Sequence, residues 1–190
     1  PYVRDLNMQI DYDDDVNTQA IRWLYDRARD AADQPFMLTV SFTSPHDPYV
    51  ARPAFWDMYD DAEIDLPTVP PIPVDQQDPH SARIHEHYSF GKAEVTDDII
   101  RRARHGYYAS IEYIDSKVAS LLEVLLETGL DKNTIFVFAS DHGDMMGERG
   151  MYYKKCFFEW SSRVPLIFWA PDQIEPLRVA DTVSLLDLLP

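Results

Sequence analysis

At 190 residues, 45% hydrophobic and 13% aromatic, the chain can bury one substantial core, and no apolar run in it is long enough to span a membrane. A formal net charge of -16 excludes a nucleic-acid or anionic-membrane surface, because phosphate binding needs Lys and Arg clusters that are absent here. The one cysteine, Cys156, cannot form an internal disulfide and fits a reducing, cytoplasmic setting.

Taken in order, residues 1–14 are polar and acidic without a clear period and read as loop. The Asp13-Asp14-Asp15 run lacks the Gly and Glu offsets of a calcium-binding loop. It reads instead as a helix entry, with Asp15 or Asn17 capping a helix to about residue 30. Ile21, Leu24, Tyr25 and Ala28 recur in that helix at core-facing spacing. After a loop at 33–35, the near-continuous apolar run at 36–42 predicts a central strand. It ends in Thr43-Ser44-Pro45-His46-Asp47-Pro48-Tyr49, where two prolines hold His46 on a stiff loop at a strand's carboxyl end. That setting suits a working histidine, although a histidine in a Pro-rich turn can equally be a surface residue.

Periodicity is lost from 50 to about 95, where Pro53, Pro67, Pro70, Pro71, Pro73 and Pro79 concentrate; such a segment reads as a functional surface or an insertion. Phe55, Trp56 and Tyr59 are expected to pin it down. His80, His85 and His87 resemble a metal cluster at first sight, but their polar, Pro-flanked surroundings read as solvated. A long helix is predicted at 96–128, with Thr96 as its cap, Asp97 and Asp98 in its first turn, and Gly129 as its stop. Its apolar stripe runs through Ile100, Tyr107, Ile111, Ile114, Val118, Leu121 and Leu125. Gly106 inside it suggests a kink or a close approach to a neighbour.

The run at 135–139 predicts a buried parallel strand, and Asp141, His142, Gly143, Asp144 and Glu148 follow at its carboxyl end, where open α/β sheets hold ligands. Asp141 and His142 side by side can bind a metal; a turn cap and a packing imidazole are the bland alternative. Lys154, at the rim of that excursion in so acidic a chain, can hold an oxyanion or stand free as a surface lysine. A further apolar run at 164–170 stops at Pro171, and 179–190 reads as a strand or turn entering a helix. The alternation of helix and strand implies an α/β sheet of the doubly wound kind.

The stretch 41–49, the Tyr107-Tyr108-Ala109-Ser110-Ile111 segment, and Ser140-Asp141-His142-Gly143-Asp144-Met145-Met146-Gly147-Glu148-Arg149-Gly150 together resemble the sulfatase family of the alkaline-phosphatase-like superfamily. Tyr153-Lys154-Lys155-Cys156-Phe157-Phe158-Glu159, with Arg163-Val164-Pro165-Leu166 beyond it, is most similar to the choline-sulfatase group, and phosphonate monoester hydrolases are near relatives.

The resemblance implies part of an α/β/α sandwich with a mostly parallel central sheet. Residues 1–190 would form a central segment of a single domain, truncated at both ends, with an irregular insertion at about 44–95. It implies that Asp141 and His142 bind a divalent metal, Ca²⁺ or Mn²⁺, that His46 protonates the leaving alkoxide, and that Lys154 binds a sulfate or bridging oxygen. It implies a small sulfate ester as substrate, choline sulfate first, and a homo-oligomeric full-length enzyme. Sulfatases of this type use a formylglycine made from a Cys/Ser-x-Pro-x-Arg motif. That motif is absent here, and Cys156 is followed by Phe157-Phe158-Glu159, so the nucleophile is expected upstream and the segment alone is expected to be inactive.

Overall fold

The computed structural model describes residues 2–3, 7–30, 34–91 and 94–188. Its elements, in order, are β1 (Tyr2–Val3), α1 (Met8–Arg29), β2 (Val50–Ala51), α2 (Pro53–Trp56), α3 (Pro79–Tyr88), α4 (Asp97–Thr128), β3 (Phe136–Ala139), α5 (Glu159–Ser162) and β4 (Leu166–Trp169), with short 3-10 turns between them.

The first helix begins earlier than its sequence suggests. Asn7 caps it, its side-chain oxygen accepting the Gln9 N–H at 2.8 Å, so Asp13, Asp14 and Asp15 lie within the helix. Its buried face is Ile10, Asp13, Asn17, Ala20 and Leu24, at spacings of three and four; the predicted Ala28 is exposed. Asp13 sits on this largely apolar stripe, beside Asn17, because it has donors to meet there. Predicted and observed bounds of α4 agree: Thr96 caps it, Gly129 closes it at φ 75°, and Ile114, Leu121 and Leu125 are buried, although Ile111 points outward.

Helices α1 and α4 run side by side in the same direction, since their contacts advance together. Tyr113 Oη donates to the Ile10 carbonyl, Asn17 Nδ2 to Ser120 Oγ, and Tyr25 Oη to Glu127 Oε2. Ala20 and Leu24 pack on Leu121, Val124 and Leu125, and Ile10 packs with Val50, Tyr113 and Ile114. Gly106 marks a close approach, as expected: a Cβ there would lie 2.4 Å from the Tyr49 carbonyl oxygen.

Two expected strands differ from their prediction. Residues 36–42 alternate as a strand should, with Leu38, Val40 and Phe42 on the α1/α4 core, yet they join no ladder among the described residues. Their side-chain pattern is satisfied by the helices alone, whereas a ladder also needs a paired backbone. β3 was expected to be parallel and buried. It pairs antiparallel with β4, Phe136 opposite Trp169 and Ala139 opposite Leu166, and its outward residue Val137 is exposed, as is Ile135 just before it. The chain returns to β4 through an excursion and the single turn of α5, so no crossover helix reverses its direction. The other ladder, β1 with β2, is parallel.

The Pro-rich segment carries more order than its composition suggests. It contains α2, α3 and two 3-10 turns, and Trp56 stacks on His105 of α4 with ring centroids 4.0 Å apart. His85, expected to be solvated, is buried, with Gln77 at its Nε2 and Phe90 at its edge; helix formation over α3 turns that position inward while His80 and His87 stay exposed. Of the predicted loop at 33–35, only 34 and 35 are among the described residues. The tail up to 188 holds one 3-10 turn, Leu185–Leu188, rather than a strand.

Candidate functional site

Two loops meet beyond the carboxyl end of β3, and they bring together the four residues singled out in the sequence. The first is the Pro-flanked loop after residue 42. Asp13 receives it: one carboxylate oxygen accepts the Thr43 N–H at 2.6 Å and the Thr43 hydroxyl at 3.0 Å, and the other accepts the Ser44 N–H at 3.0 Å. The His46 N–H closes a turn onto the Thr43 carbonyl at 3.1 Å, and Gln9 Nε2 donates to the Asp47 carbonyl at 2.9 Å. His46 therefore hangs from a short arch gripped from α1 on either side.

The His46 ring has a defined tautomer. Its Nδ1 lies 2.8 Å from Asp47 Oδ1 and 3.2 Å from the Asp47 carbonyl, both acceptors, so Nδ1 carries the hydrogen. Nε2 then presents its lone pair, and the Lys154 ammonium is in contact with it. The His142 ring stands edge-on to His46, with centroids 5.9 Å apart.

The second loop is shaped by Asp144. Its Oδ1 accepts the N–H groups of Met146 and Tyr153, each at 3.0 Å, and its Oδ2 accepts the Tyr49 hydroxyl at 2.8 Å. One half-buried carboxylate thus ties the end of the His46 loop to the residue before Lys154. Burial pushes the Asp144 carboxyl up against the opposing pull of its donors, and burial followed by the charge of Asp144 pushes the Tyr49 hydroxyl up, so that Tyr49 remains a donor. Tyr153 and Lys155 on either side of Lys154 both have positive φ, 66° and 76°. Non-glycine residues there cost about 1 kcal/mol or more each, a cost the Asp144 bond and the neighbouring Met145 to Tyr153 backbone pair offset.

Asp141 and His142 follow β3 directly. Ser140 Oγ donates to the His142 carbonyl at 2.7 Å, and the His142 N–H donates to Asp141 Oδ1 at 3.0 Å. His142 Nδ1 lies 2.8 Å from the Gly143 carbonyl, which places the ring hydrogen on Nδ1 and leaves the Nε2 lone pair free, 3.7 Å from Asp141 Oδ2. A ring nitrogen and a carboxylate oxygen side by side, the imidazole held by a backbone carbonyl and the Asp141 side chain 87% exposed, fit two ligands of a divalent cation. Among the described residues no group of three or more His, Cys, Asp or Glu side chains could hold a metal, so these two alone would supply only part of a metal's shell.

Glu148, which stands in the same stretch, does different work. It is buried and accepts the N–H groups of Thr68 and Val69 at 3.0 and 2.8 Å, pinning the Pro-rich segment under the loop. Trp56 is occupied by His105, so it is not available to a ligand at this site. Tyr152 and Tyr153 join Tyr88 and Phe90 in one aromatic cluster beside Lys154, with Lys155 over the Tyr88 ring, and Trp160 backs its carbonyl against Gly143.

Asp13, Asp47, Tyr49 and Asp144 were not assigned roles from the sequence. The signal for Asp13 was available, since running the Leu24, Ala20, Asn17 stripe backwards lands on it. No sequence pattern shows that Asp144 reaches Tyr49, because that bond joins residues 95 positions apart.

The sequence model of the sulfatase family matches residues 2–190. The choline-sulfatase of Rhizobium meliloti (strain 1021) is 46% identical over 191 residues, which cover 99% of this chain and 37% of that protein. An arylsulfatase of Clostridium perfringens is 33% identical over 86% of this chain and 34% of its own length. Among solved structures, the putative sulfatase yidJ from Bacteroides fragilis superposes with a TM-score of 0.64 at 30% identity, covering 87% of this chain and 32% of that one. The phosphonate monoester hydrolase from Silicibacter pomeroyi gives 0.67 at 25% identity, covering 82% and 32%. The chain therefore spans about a third of the length of the relatives it matches.

Proposed function

The chain belongs to the sulfatase family and has its alkaline-phosphatase-like α/β fold, and from that premise we propose that the full-length protein hydrolyses a sulfate monoester, choline sulfate, to the alcohol and sulfate. The observation that carries the reading is the meeting of His46, Lys154 and His142 from two loops, with Lys154 touching His46 across 108 residues of sequence.

Sulfate monoesters hydrolyse slowly because an alkoxide leaves poorly and negative charge gathers on the transferring group. Lys154 supplies a fixed positive charge to a non-bridging or bridging oxygen. His46, its Nδ1–H anchored on Asp47, presents Nε2 to the departing oxygen and, charged by a proton, delivers it there. Asp141 and His142 would hold the cation, Ca²⁺ or Mn²⁺, and that cation supplies Lewis-acid stabilisation of the sulfate oxygens. Their exposed oxygen and nitrogen are two of its ligands, and we place the remaining ligands and the nucleophile outside residues 1–190. The aromatic cluster of Tyr88, Phe90, Tyr152 and Tyr153 suits the quaternary ammonium of choline.

The likeness to a phosphonate monoester hydrolase favours a second reading, an ester of a phosphonate at the same site. Both are tested with the full-length protein, loaded with Ca²⁺ or Mn²⁺ and offered choline sulfate and a phenyl phosphonate ester. Choline release that falls by about a hundredfold or more in His46→Gln and in Asp141→Asn supports the sulfatase reading. Turnover of the phosphonate ester alone moves the protein to the second reading. Turnover of neither by a metal-loaded protein with an intact nucleophile makes it a binding module.

A further inference from the structure

We propose that Asp13, with Gln9 one helical turn before it, is a positioning residue for His46: α1 sets the angle at which the proton donor faces the leaving group. The inference rests on the sulfatase reading, in which His46 is that donor. Asp13 is fully buried, and its partners are donors of the His46 loop: the Thr43 N–H and hydroxyl on one oxygen and the Ser44 N–H on the other. A buried carboxylate that meets no cation among the described residues is a costly way to fill a helix face, and an apolar side chain would pack there without the cost of removing a charge from water. What the carboxylate does, and no apolar or amide group can do, is accept three hydrogen bonds through two oxygens.

Those bonds fix the Thr43-Ser44 peptide. The Thr43 carbonyl in turn accepts the His46 N–H at 3.1 Å, so the peptide that Asp13 holds carries the imidazole. On the far side Gln9 Nε2 holds the Asp47 carbonyl at 2.9 Å, and the Asp47 carboxylate takes the Nδ1–H of His46. Both anchors stand on one face of one helix, itself packed along α4 through Ile10, Ala20 and Leu24. The ring is thus referred to the rigid core, and a proton donor displaced by an ångström loses most of its advantage.

The test separates placement of the proton donor from general loss of structure by varying the leaving group. Choline leaves as an alkoxide that needs the proton; 4-nitrophenol leaves as a stable phenolate that does not. Full-length, metal-loaded enzyme, wild type and the variants Asp13→Asn, His46→Gln and their double, are compared in kcat/KM on choline sulfate and on 4-nitrophenyl sulfate. Asp13→Asn keeps the volume but turns an N–H onto a backbone N–H whichever way the amide lies. It is expected to lose about tenfold or more on choline sulfate, with KM changed less than about twofold, and less than about threefold on the aryl ester. The double variant is expected within about twofold of His46→Gln, because the two act through one group.

Equal losses on both esters, or additive losses in the double variant, make Asp13 a structural residue and overturn the inference. If His46→Gln shows no preference for the aryl ester, the reading of His46 as donor fails instead, and the inference with it. The ratio of the two substrates does not depend on how much enzyme folds. Should Asp13→Asn give no soluble protein, Gln9→Leu at the less buried anchor carries the same comparison, and a uniform loss there overturns the proposal equally.

Discussion

Gly143 shows how closely the site is packed at the level of single atoms. Its N–H donates to the Ser161 carbonyl at 2.8 Å, and a Cβ would lie 2.1 Å from the Trp160 carbonyl oxygen. The obstacle is backbone on both sides, so an added methyl cannot be met by a side-chain rotation. Gly143→Ala is expected to cost about 1–3 kcal/mol and to displace the adjacent Asp141-His142 pair. Denaturant titration and turnover of the full-length protein check it, and unchanged metal affinity would show that the loop yields without disturbing the pair. At this scale the candidate site residues were legible in the sequence, because Asp-His beside a strand end and a Pro-framed histidine are local patterns. Their supports were not. Asp13, Tyr49 and Asp144 act through bonds to residues 30 or 95 positions away, and nothing local announces such a partner.

Among the elements, α1 does the most to place the site. Besides Asp13 it carries Asp14, whose carboxylate meets Lys117, Arg52 and the Tyr113 hydroxyl and so ties α1 to α4 and to the strand end at β2. Burial raises the Asp14 carboxyl, but the bonds from Lys117, Tyr113 and Arg52 together outweigh it and hold it below 3.8. A carboxyl lowered in the folded state contributes stability that is present above its unfolded value and is lost as pH falls through the folded one. Asp14→Asn is therefore expected to destabilise the protein at neutral pH, and the gap to wild type is expected to close as pH falls below about 4. Melting temperatures across an acid series measure this; a gap constant with pH would mean that the charge contributes nothing. α4 was legible in its bounds and in its stripe apart from Ile111, because cap, stop and stripe are all local. The start of α1 was misjudged because a run of aspartates resembles a helix entry until their partners on other elements are known.

For the whole molecule, the described surface leaves apolar groups uncovered. Ile135 before β3, Val137 on it, and Ile167 and Phe168 on β4 are exposed, as are Leu177 and Leu186 in the tail. Expressed alone, residues 1–190 are expected to associate with concentration and to bind a hydrophobic dye. A monodisperse monomer in sedimentation with a cooperative melt would contradict this. In the full-length protein, removal of divalent metal with a chelator is expected to lower the melting temperature, since a ligand at a hundred times its Kd stabilises by about 2.7 kcal/mol. Asp141→Asn should abolish that shift, and a shift unaltered in the variant would place the metal elsewhere.

The sequence by itself determined the α/β class, the long α4 and the Gly106 contact, and it singled out His46, Asp141, His142 and Lys154 as candidates. Those rest on period, caps and short motifs, all local in the chain. Tertiary structure alone decided that β3 pairs antiparallel with β4, that residues 36–42 lie on the helices without a ladder among the described residues, that His85 turns inward, and that Asp13 and Asp144 hold the two loops together. Each depends on a hydrogen bond or burial between distant positions. Spacing in sequence records which face a side chain takes, and only the folded backbone sets what stands opposite it.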